Sequence, residues 1–233
     1  VAPIQISWLG YTNTTGLKEM DYIIADPNLI EENEHNLYYE KILYLPNIWN
    51  SHKEMDEKLE IKNLPYDKNN HITFGSFNNF KKISNSVIKV WSQILDETNS
   101  KLILKSSMHN NLELRERFLN KFPKSLTNKG KIILLEGQKK RLDHINLYNE
   151  VDIGLDTFPY TGVTTTFEAI WMGVPVLTLK GNNFSSRCGE SININLKLEQ
   201  FIAKDKDDYI KKAINFTKEI DHIRNLRKSL RGD

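Results

Sequence analysis

The sequence predicts an α/β protein built on a doubly wound parallel sheet. After residue 70, apolar stretches of strand length alternate with segments whose apolar residues recur at helical spacing, as in parallel strands joined by helical crossovers. The best helix candidate covers residues 86–95 and can be capped by Ser84 or Asn85. Ligands of such sheets bind beyond the carboxyl ends of the strands, so the functional site is expected there.

Short apolar stretches bounded by turn residues mark the expected strands. Three lie early in the chain, at 4–9, 22–25 and 42–45, and five lie later, at 72–77, 101–105, 131–135, 152–156 and 175–179. Two amphipathic segments near the end, 207–219 and 222–230, are expected to be packing helices. Because the later strands alternate with helices, they are assigned to one Rossmann-like domain.

The composition changes between the two groups of strands. Residues 49–70 are charged and rich in asparagine, and Pro65 is interpreted as a breaker within a linker. The predicted division is 1–50 as the tail of a first domain, 51–70 as a linker, and 71–233 as a Rossmann-like domain that is incomplete at its C-terminus. The sequence begins at Val1 without a signal-peptide pattern, and we interpret it as a fragment of a longer chain.

Composition and charge indicate an ordinary globular chain. The 39% of apolar residues suffice for a buried core, and 32 basic against 30 acidic residues leave a formal charge of +2. Neither nucleic acid nor a membrane is therefore expected as a partner. The single cysteine, Cys188, excludes an internal disulfide, and no apolar stretch is long enough to span a bilayer. A cytoplasmic location is expected.

The segment 152–179 carries the strongest functional signal. After its first strand, Gly162 breaks the pattern, and Thr164, Thr165 and Thr166 open a helix that is expected to close at Gly173. The unpaired N–H groups and the dipole of a helix N-terminus attract phosphate, and the hydroxyls add hydrogen-bond donors. The alternative is that Thr164 is simply the N-cap of a helix without a ligand.

Glu168 lies one helical turn after Thr165, on the same expected face of the helix. A carboxylate at this place can accept hydrogen bonds from vicinal hydroxyls, as a ribose would supply. The alternative is that Glu168 only interacts with the helix dipole.

The segment 72–83 runs from a strand through a polar turn, which places Asn78, Asn79, Lys81 and Lys82 at a carboxyl end. An ammonium group there can stabilise the negative charge that develops on a leaving diphosphate. The alternative is a solvated pair of lysines before a helix. Lys105, at the end of the next strand, has the same two interpretations.

His144 opens the amphipathic run 144–151, close to Arg141 and on the expected ligand side of the sheet. It is either a ligand contact or a capping or surface histidine. The histidines show no metal-site spacing, and Asp205 with Asp207 is better explained as helix capping than as a cation site. No metal is expected. The chain also lacks the GxGxxG, Walker and GxSxG motifs of dinucleotide-binding proteins, NTPases and α/β-hydrolases.

Four sequence blocks, in this order, carry a resemblance to a known family. They are APIQISWLGYTNTTG followed by MDYIIAD, then FGSFNNFKKIS, then VDIGLDTFPYTGVTTTFEAIWMGVPVLTL, and finally SSRCGES. Across nearly its whole length the chain resembles the catalytic region of the O-GlcNAc transferases and their bacterial TPR-linked relatives, the family that includes plant SPINDLY-type proteins.

The resemblance implies a GT-B architecture of two Rossmann-like domains and inverting transfer of a sugar, GlcNAc in the first instance, from a UDP-sugar to protein Ser or Thr hydroxyls. The second domain would bind the UDP-sugar without a metal or other cofactor. A TPR array is expected upstream, and the general base is expected outside this chain. The fragment by itself is therefore expected to bind UDP better than it turns over.

The resemblance also implies roles for single residues. Lys82 is expected to act as the leaving-group stabiliser. The resemblance further implies UDP-sugar contacts for Asn79, Arg141, His144, Thr164, Thr165 and Glu168, and the residue pattern adds Lys105, Gly162 and Thr166. Within this set, Asn79, Thr164 and Thr165 match diphosphate contacts. Glu168 matches a ribose contact, and Arg141 with His144 matches the nucleoside side.

The chain departs from the animal members of that family at several positions. Val163 stands in place of a histidine and Asn79 in place of a glutamine, and the loop 12–16 has Asn13 and Thr14 where the family has a Pro-Gly-Thr-Ser pattern. GlcNAc, glucose and fucose therefore all remain open as the donor sugar, and neither the acceptor protein nor the oligomeric state follows from the sequence. Two alternative functions also stay open, another GT-B sugar-nucleotide enzyme (a small-molecule glycosyltransferase or an epimerase) and a non-catalytic UDP-binding module.

Overall fold

Two parallel sheets organise the chain, and the computed structural model describes residues 2–52 and 59–232 of it. The first sheet has three strands in the order β1-β2-β3, and these are β1 (Ile6–Ser7), β2 (Tyr22–Ala25) and β3 (Lys41–Tyr44). All of its pairings are parallel, with Ile23 opposite Ile42. The three early strands expected from the sequence are thereby confirmed.

The second sheet has six strands, all parallel. They are β4 (Thr73–Ser76), β5 (Lys101–Ser106), β6 (Ile132–Glu136), β7 (Ile153–Leu155), β8 (Val176–Leu179) and β9 (Ile202–Ala203). Their spatial order is β6-β5-β4-β7-β8-β9, so the chain reverses direction across the sheet between β4 and β7. This is the doubly wound order with its switch point, as predicted, although β9 was not predicted from the sequence.

Nine α-helices occur among the described residues. They are α1 (Pro65–Asn69), α2 (Asn85–Glu97), α3 (Leu112–Leu119), α4 (Lys124–Asn128), α5 (Arg141–Asn146), α6 (Thr164–Trp171), α7 (Phe184–Asn195), α8 (Lys206–Phe216) and α9 (Ile220–Ser229). Ser84 caps α2 by accepting a hydrogen bond from the Val87 N–H, one of the two caps expected. Asp205 caps α8 through the Asp208 N–H, in agreement with the capping interpretation.

Helices cover both faces of the six-stranded sheet, because each face presents apolar side chains. On one face Trp91 of α2 and Tyr209 of α8 are fully buried. On the other face Tyr148 and Met172 pack beneath the sheet with Ile145 of α5. A third cluster joins the two sheets, and its buried members are Ile23, Ala25, Leu29, Ile30, Trp49, Ile170, Phe184, Cys188 and Ile192. The first sheet is therefore packed against α6 and α7.

The interpretation of Pro65 as a breaker is wrong. Pro65 is buried and is the first residue of α1, after the buried Leu64. Proline is favoured at this position because its fixed φ suits a helix and the first N–H has no intrahelical partner to lose. Of the predicted linker 51–70, residues 53–58 lie outside the described part, and the division into a first domain, a linker and a second domain stays a prediction.

None of the helices in residues 2–52 and 59–232 has both the length and the apolar character needed to cross a membrane.

Candidate functional site

The candidate site lies at the switch point, where the carboxyl ends of β4 and β7 are neighbours. Two segments build it. Residues 77–82 follow β4 and include a short 3-10 helix at Phe80–Lys82, and residues 156–166 follow β7 and lead into α6. Parallel pairing brings both segments to one edge of the sheet, although about 80 residues separate them in the sequence.

Asn78 joins the two segments. Its Oδ1 accepts a hydrogen bond from the Thr165 hydroxyl at 3.0 Å, and its Nδ2 donates to Asp156 Oδ1 at 3.2 Å. Asn78 is buried, so both hydrogen bonds are shielded from water. The turn after β4 is thereby held against the tip of α6.

The tip of α6 is open to a ligand. The helix begins at Thr164 after Val163, which provides no side-chain cap, so the interpretation of Thr164 as the N-cap is wrong. Within the described part of the chain, no acceptor pairs with the N–H groups of Thr164 and Thr165. The Thr164 side chain is exposed, Thr165 is partly buried and Thr166 is buried. Open N–H groups at a helix N-terminus bind anions.

Gly162 lies where the backbone comes very close to this helix tip. A Cβ atom on Gly162 would lie 2.6 Å from Thr165 Oγ1 and 2.9 Å from both Asn78 Oδ1 and Thr166 Oγ1. The Gly162 N–H donates to Asp156 Oδ1 at 2.7 Å. A larger residue at this position would displace the helix tip. Gly173 ends α6 in the expected manner, since it follows the helix with φ +72°.

Lys82 lies against the same loop. Its Nζ donates to the Thr161 carbonyl at 2.8 Å and lies 4.4 Å from the centre of the Tyr160 ring. Burial lowers the pKa of Lys82, and the nearby Asp156 carboxylate opposes that shift. The structure thus brings the Lys82 ammonium to the loop that leads into the threonine-rich helix tip.

A second group of site residues surrounds Glu168, which is buried in α6. Its Oε2 lies 3.0 Å from His144 Nε2 and 3.5 Å from the Tyr148 hydroxyl, which also donates to the Thr165 carbonyl at 3.1 Å. Because a carboxylate is an acceptor, His144 Nε2 carries the proton of this contact. His144 and Glu168 therefore form one polar pair beside the helix tip.

Lys105 lies on the Glu168 side of the site. Its Nζ is 5.9 Å from the centre of the Phe77 ring, and the Phe77 ring lies 4.5 Å from that of Tyr148. Burial lowers the pKa of Lys105, and the Glu168 carboxylate opposes that shift. Lys105 is thus near the Glu168 pair, separate from the Lys82 loop.

Two predicted site residues remain apart from these contacts. Asn79 is exposed, and its side chain accepts from the Lys81 N–H at 3.0 Å, which caps the short 3-10 helix. Arg141 is exposed and is the first residue of α5. His144, the first residue of the amphipathic run, lies in the last turn of α5, which begins three residues earlier at Arg141.

Sequence reasoning missed Asp156 and Tyr148 as site residues. Asp156 accepts from four donors, which are the N–H groups of Gly162 and Thr157, the Asn78 amide and the Thr178 hydroxyl. Burial raises its pKa to about 6 despite these hydrogen bonds. The sequence does contain a signal for Asp156, because it is a carboxylate directly after an apolar strand. Tyr148 has no such signal, since its spacing is that of an ordinary core residue.

The arrangement suits a ligand with one anionic and one hydroxylated part. Lys82 and the open N–H groups of α6 can hold a diphosphate, while Glu168 can accept hydrogen bonds from a sugar ring. Among the described residues, no group of three or more His, Cys, Asp and Glu side chains is arranged to hold a metal ion.

Comparison with known proteins points to one family of glycosyltransferases. The profile of glycosyl transferase family 41 matches residues 1–71 and 63–232. A protein of Solanum lycopersicum, named probable UDP-N-acetylglucosamine–peptide N-acetylglucosaminyltransferase SPINDLY, is 37% identical over 231 residues, which are 99% of this chain and 25% of that protein. The corresponding SEC protein of Arabidopsis thaliana is 27% identical over 245 residues, 99% of this chain and 24% of that protein. The chain thus spans about a quarter of the length of these curated relatives.

Solved structures resemble the chain as well. A lysine-to-methionine mutant of the Thermobaculum terrenum O-GlcNAc transferase superposes with a TM-score of 0.85 at 29% identity, covering 99% of this chain and 44% of that one. A glycosyltransferase from Rickettsia africae shares the fold, with a TM-score of 0.56 at 15% identity over 91% of this chain and 57% of that one.

Proposed function

We propose, because this chain belongs to glycosyl transferase family 41, that it forms the donor side of an inverting glycosyltransferase, which moves a sugar from a UDP-sugar to Ser or Thr hydroxyls of proteins. The observation that carries the proposal is the convergence of Lys82, the open N-terminus of α6 and the His144–Glu168 pair at one switch point. Each of these groups comes from a different part of the sequence, and a packed core requires none of them.

The diphosphate would lie between the Lys82 ammonium and the first turn of α6. When the bond between the sugar and the diphosphate breaks, negative charge develops on the leaving oxygen. A preorganised ammonium and two N–H groups stabilise that charge more than the charge of the ground state, which lowers the barrier. Asn79, Gly162 and the three threonines of the helix tip would surround the same diphosphate.

The nucleoside would lie on the other side of the helix tip. Glu168 would accept hydrogen bonds from the ribose hydroxyls, with Tyr148 and His144 holding its carboxylate in place. Arg141 and Lys105 would face the same part of the ligand from the ends of neighbouring elements. The general base that removes the acceptor proton is expected from residues outside this chain.

GlcNAc is proposed as the sugar, because relatives in the family are named for UDP-N-acetylglucosamine. Glucose and fucose remain the alternatives. The sequence departs from its family in the loop 12–16, which belongs to the first sheet. The buried Glu40 holds this loop by accepting hydrogen bonds from the Thr14 hydroxyl at 2.6 Å and from the Thr15 N–H at 2.6 Å. We further propose a protein acceptor, a TPR array upstream, a cytoplasmic location and a reaction that needs no metal.

The proposal is tested in two steps. Titration calorimetry with UDP, in the presence of a chelator, should show binding by the full chain together with a thermal shift, and the absence of both would dismiss every nucleotide-based function. The complete protein should then transfer GlcNAc from UDP-GlcNAc to peptides containing Ser or Thr. UDP binding without any transfer would favour a sensing module, and a glycosylated small molecule without a peptide product would favour another sugar-nucleotide enzyme.

A further inference from the structure

We propose that Asp156 is a positioning residue of the nucleotide site, which holds the loop 157–162 in its ligand-binding shape and serves as the buried counter-charge of Lys82. The inference rests on the proposed function and deepens it. Asp156 would not touch the ligand itself, and would act through the groups that do.

The hydrogen bonds of Asp156 define the loop. Its Oδ1 accepts from the N–H groups of Gly162 at 2.7 Å and Thr157 at 2.8 Å, so both ends of the loop are tied to one atom. The same oxygen accepts from Asn78, and Oδ2 accepts from the Thr178 hydroxyl at 3.0 Å. The Gly162 N–H is thereby occupied, which leaves the first N–H groups of α6 to bind the ligand.

Asp156 also acts on Lys82 at a distance. The structure shows no direct ion pair between the two residues within its described part, because Lys82 Nζ donates to the Thr161 carbonyl instead. The two side chains nevertheless bind adjacent residues of the loop, the Thr161 carbonyl and the Gly162 N–H, and the carboxylate opposes the effect of burial on the Lys82 pKa. In a buried site, a nearby opposite charge favours the ionised form of both groups.

Among the described residues, Cys188 and Tyr209 also face Asp156, and burial favours the neutral form of both. Burial raises the pKa of the Cys188 thiol of α7 to about 12, and it raises that of the Tyr209 hydroxyl of α8 well above its ordinary value. The Tyr209 hydroxyl donates to the Asp156 backbone carbonyl at 3.0 Å, which leaves the carboxylate to its four other donors. Lys82 therefore remains the charged partner that this carboxylate can influence.

Asp152 provides a matched comparison at the opposite end of the same strand. It is buried as well, and its carboxylate accepts from the N–H groups of Tyr66 at 3.0 Å and Thr73 at 2.8 Å. Burial raises the pKa of both carboxyls to about 6. Asp152, however, faces Arg227 at the amino ends of the strands, away from Lys82. The two residues thus share their chemistry and differ in position.

The test is the affinity of the full chain for UDP as a function of pH, measured by calorimetry for wild type, Asp156→Asn and Asp152→Asn. Asp156→Asn should weaken UDP binding by about 10- to 100-fold at neutral pH. Disrupting hydrogen bonds of a buried carboxylate typically changes an equilibrium by this factor. The alkaline pH at which this variant loses UDP binding should also be lower than for the wild type, because no carboxylate at position 156 then stabilises the charged form of Lys82. Asp152→Asn should change neither property.

The inference would be overturned if a folded Asp156→Asn variant bound UDP with wild-type affinity and lost binding at the same alkaline pH as the wild type. Equal changes in the Asp152→Asn variant would also overturn it. Failure of the wild type to bind UDP would instead contradict the proposed function. If Asp156→Asn does not fold, NMR of wild type decides. The Lys82 Cε resonance should shift as Asp156 titrates, at about pH 6, and a resonance that is flat in this range would overturn the inference.

Discussion

At the residue scale, Lys82 is distinguished from its neighbour Lys81 by position and not by chemistry. Both are lysines of one short 3-10 helix, yet Lys82 is held by the Thr161 carbonyl while Lys81 is exposed. The residue pattern identifies the pair and the family resemblance selects Lys82, while the fold shows which lysine contacts the loop of the site.

We predict that Lys82→Ala lowers turnover by about 100- to 1000-fold, the usual loss when one preorganised electrostatic donor is removed. Lys81→Ala is the matched control and should leave turnover unchanged. Both variants should stay folded, because the buried Asp156 carboxylate keeps its four hydrogen-bond donors when Lys82 is removed. Peptide glycosylation by the complete protein measures the effect, and undiminished transfer by Lys82→Ala would dismiss its role at the leaving group.

Glu168 is a second residue whose role can be isolated. We predict that Glu168→Gln weakens UDP binding by about tenfold, since a charge-assisted hydrogen bond to a ribose hydroxyl is lost. The loss should be much smaller for the 2′,3′-dideoxy analogue, which lacks those hydroxyls. Calorimetry with both nucleotides provides the comparison, and Glu136→Gln, an exposed carboxylate at the end of β6, is the control. An equal loss for both nucleotides would show that Glu168 does not contact ribose.

At the element scale, α7 is one of the helices that sequence reasoning missed. Its sequence, FSSRCGESININ, is mostly polar, yet most of its residues are buried, including Arg187, Glu190 and Asn193. Helical periodicity of apolar residues reveals helices that bury an apolar stripe. The apolar stripe of α7 is narrow, since it consists of Phe184, Cys188 and Ile192, and most other buried residues of the helix are polar, which obscures the pattern. By contrast, α2, α6, α8 and α9 were all predicted, because their apolar or capping residues lie within the helix itself.

Gly189 allows the packing of α7 against the site to be tested. Alanine inside a helix is ordinarily favoured over glycine by about 1 kcal/mol. Here a Cβ would lie 2.4 Å from Thr178 Oγ1 and 2.8 Å from Asp156 Oδ2. We predict that overpacking outweighs the gain, so that Gly189→Ala lowers the free energy of unfolding, by about 1–3 kcal/mol. Urea denaturation measures it, and a stabilised variant would show that α7 can move away from Asp156.

At the scale of the whole molecule, Arg187 connects the two sheets. Its buried guanidinium bonds to both oxygens of Glu34, at 2.5 and 3.0 Å, and to the Leu29 carbonyl at 3.2 Å. The Ser191 hydroxyl of the same helix donates to Asp26 at the end of β2. One helix of the larger sheet therefore determines where the first sheet lies.

We predict that Arg187→Met lowers the free energy of unfolding by about 3 kcal/mol, the low end of the range for breaking a buried ion pair, since Glu34 keeps some contact with solvent. Hydrogen exchange should increase first in residues 22–44 and remain slow in the larger sheet. Arg224→Met is the control, because Arg224 pairs with Asp67 and Asp221 at the surface and should contribute little. Uniform exchange throughout the variant would contradict a specific connection between the sheets.

The sequence by itself determined the local features of this protein. Eight of the nine described strands and four of the nine described helices follow from patterns that repeat over a few residues, as do the start of α6 at Thr164 and the position of Lys82 after a strand. The tertiary structure decided which strand ends are neighbours, and so joined Asn78 to Thr165, Asp156 to Gly162 and Arg187 to Glu34. The physical reason is that periodicity reports whether a side chain is buried, whereas its partner depends on the order of strands in the sheet, which local patterns do not contain.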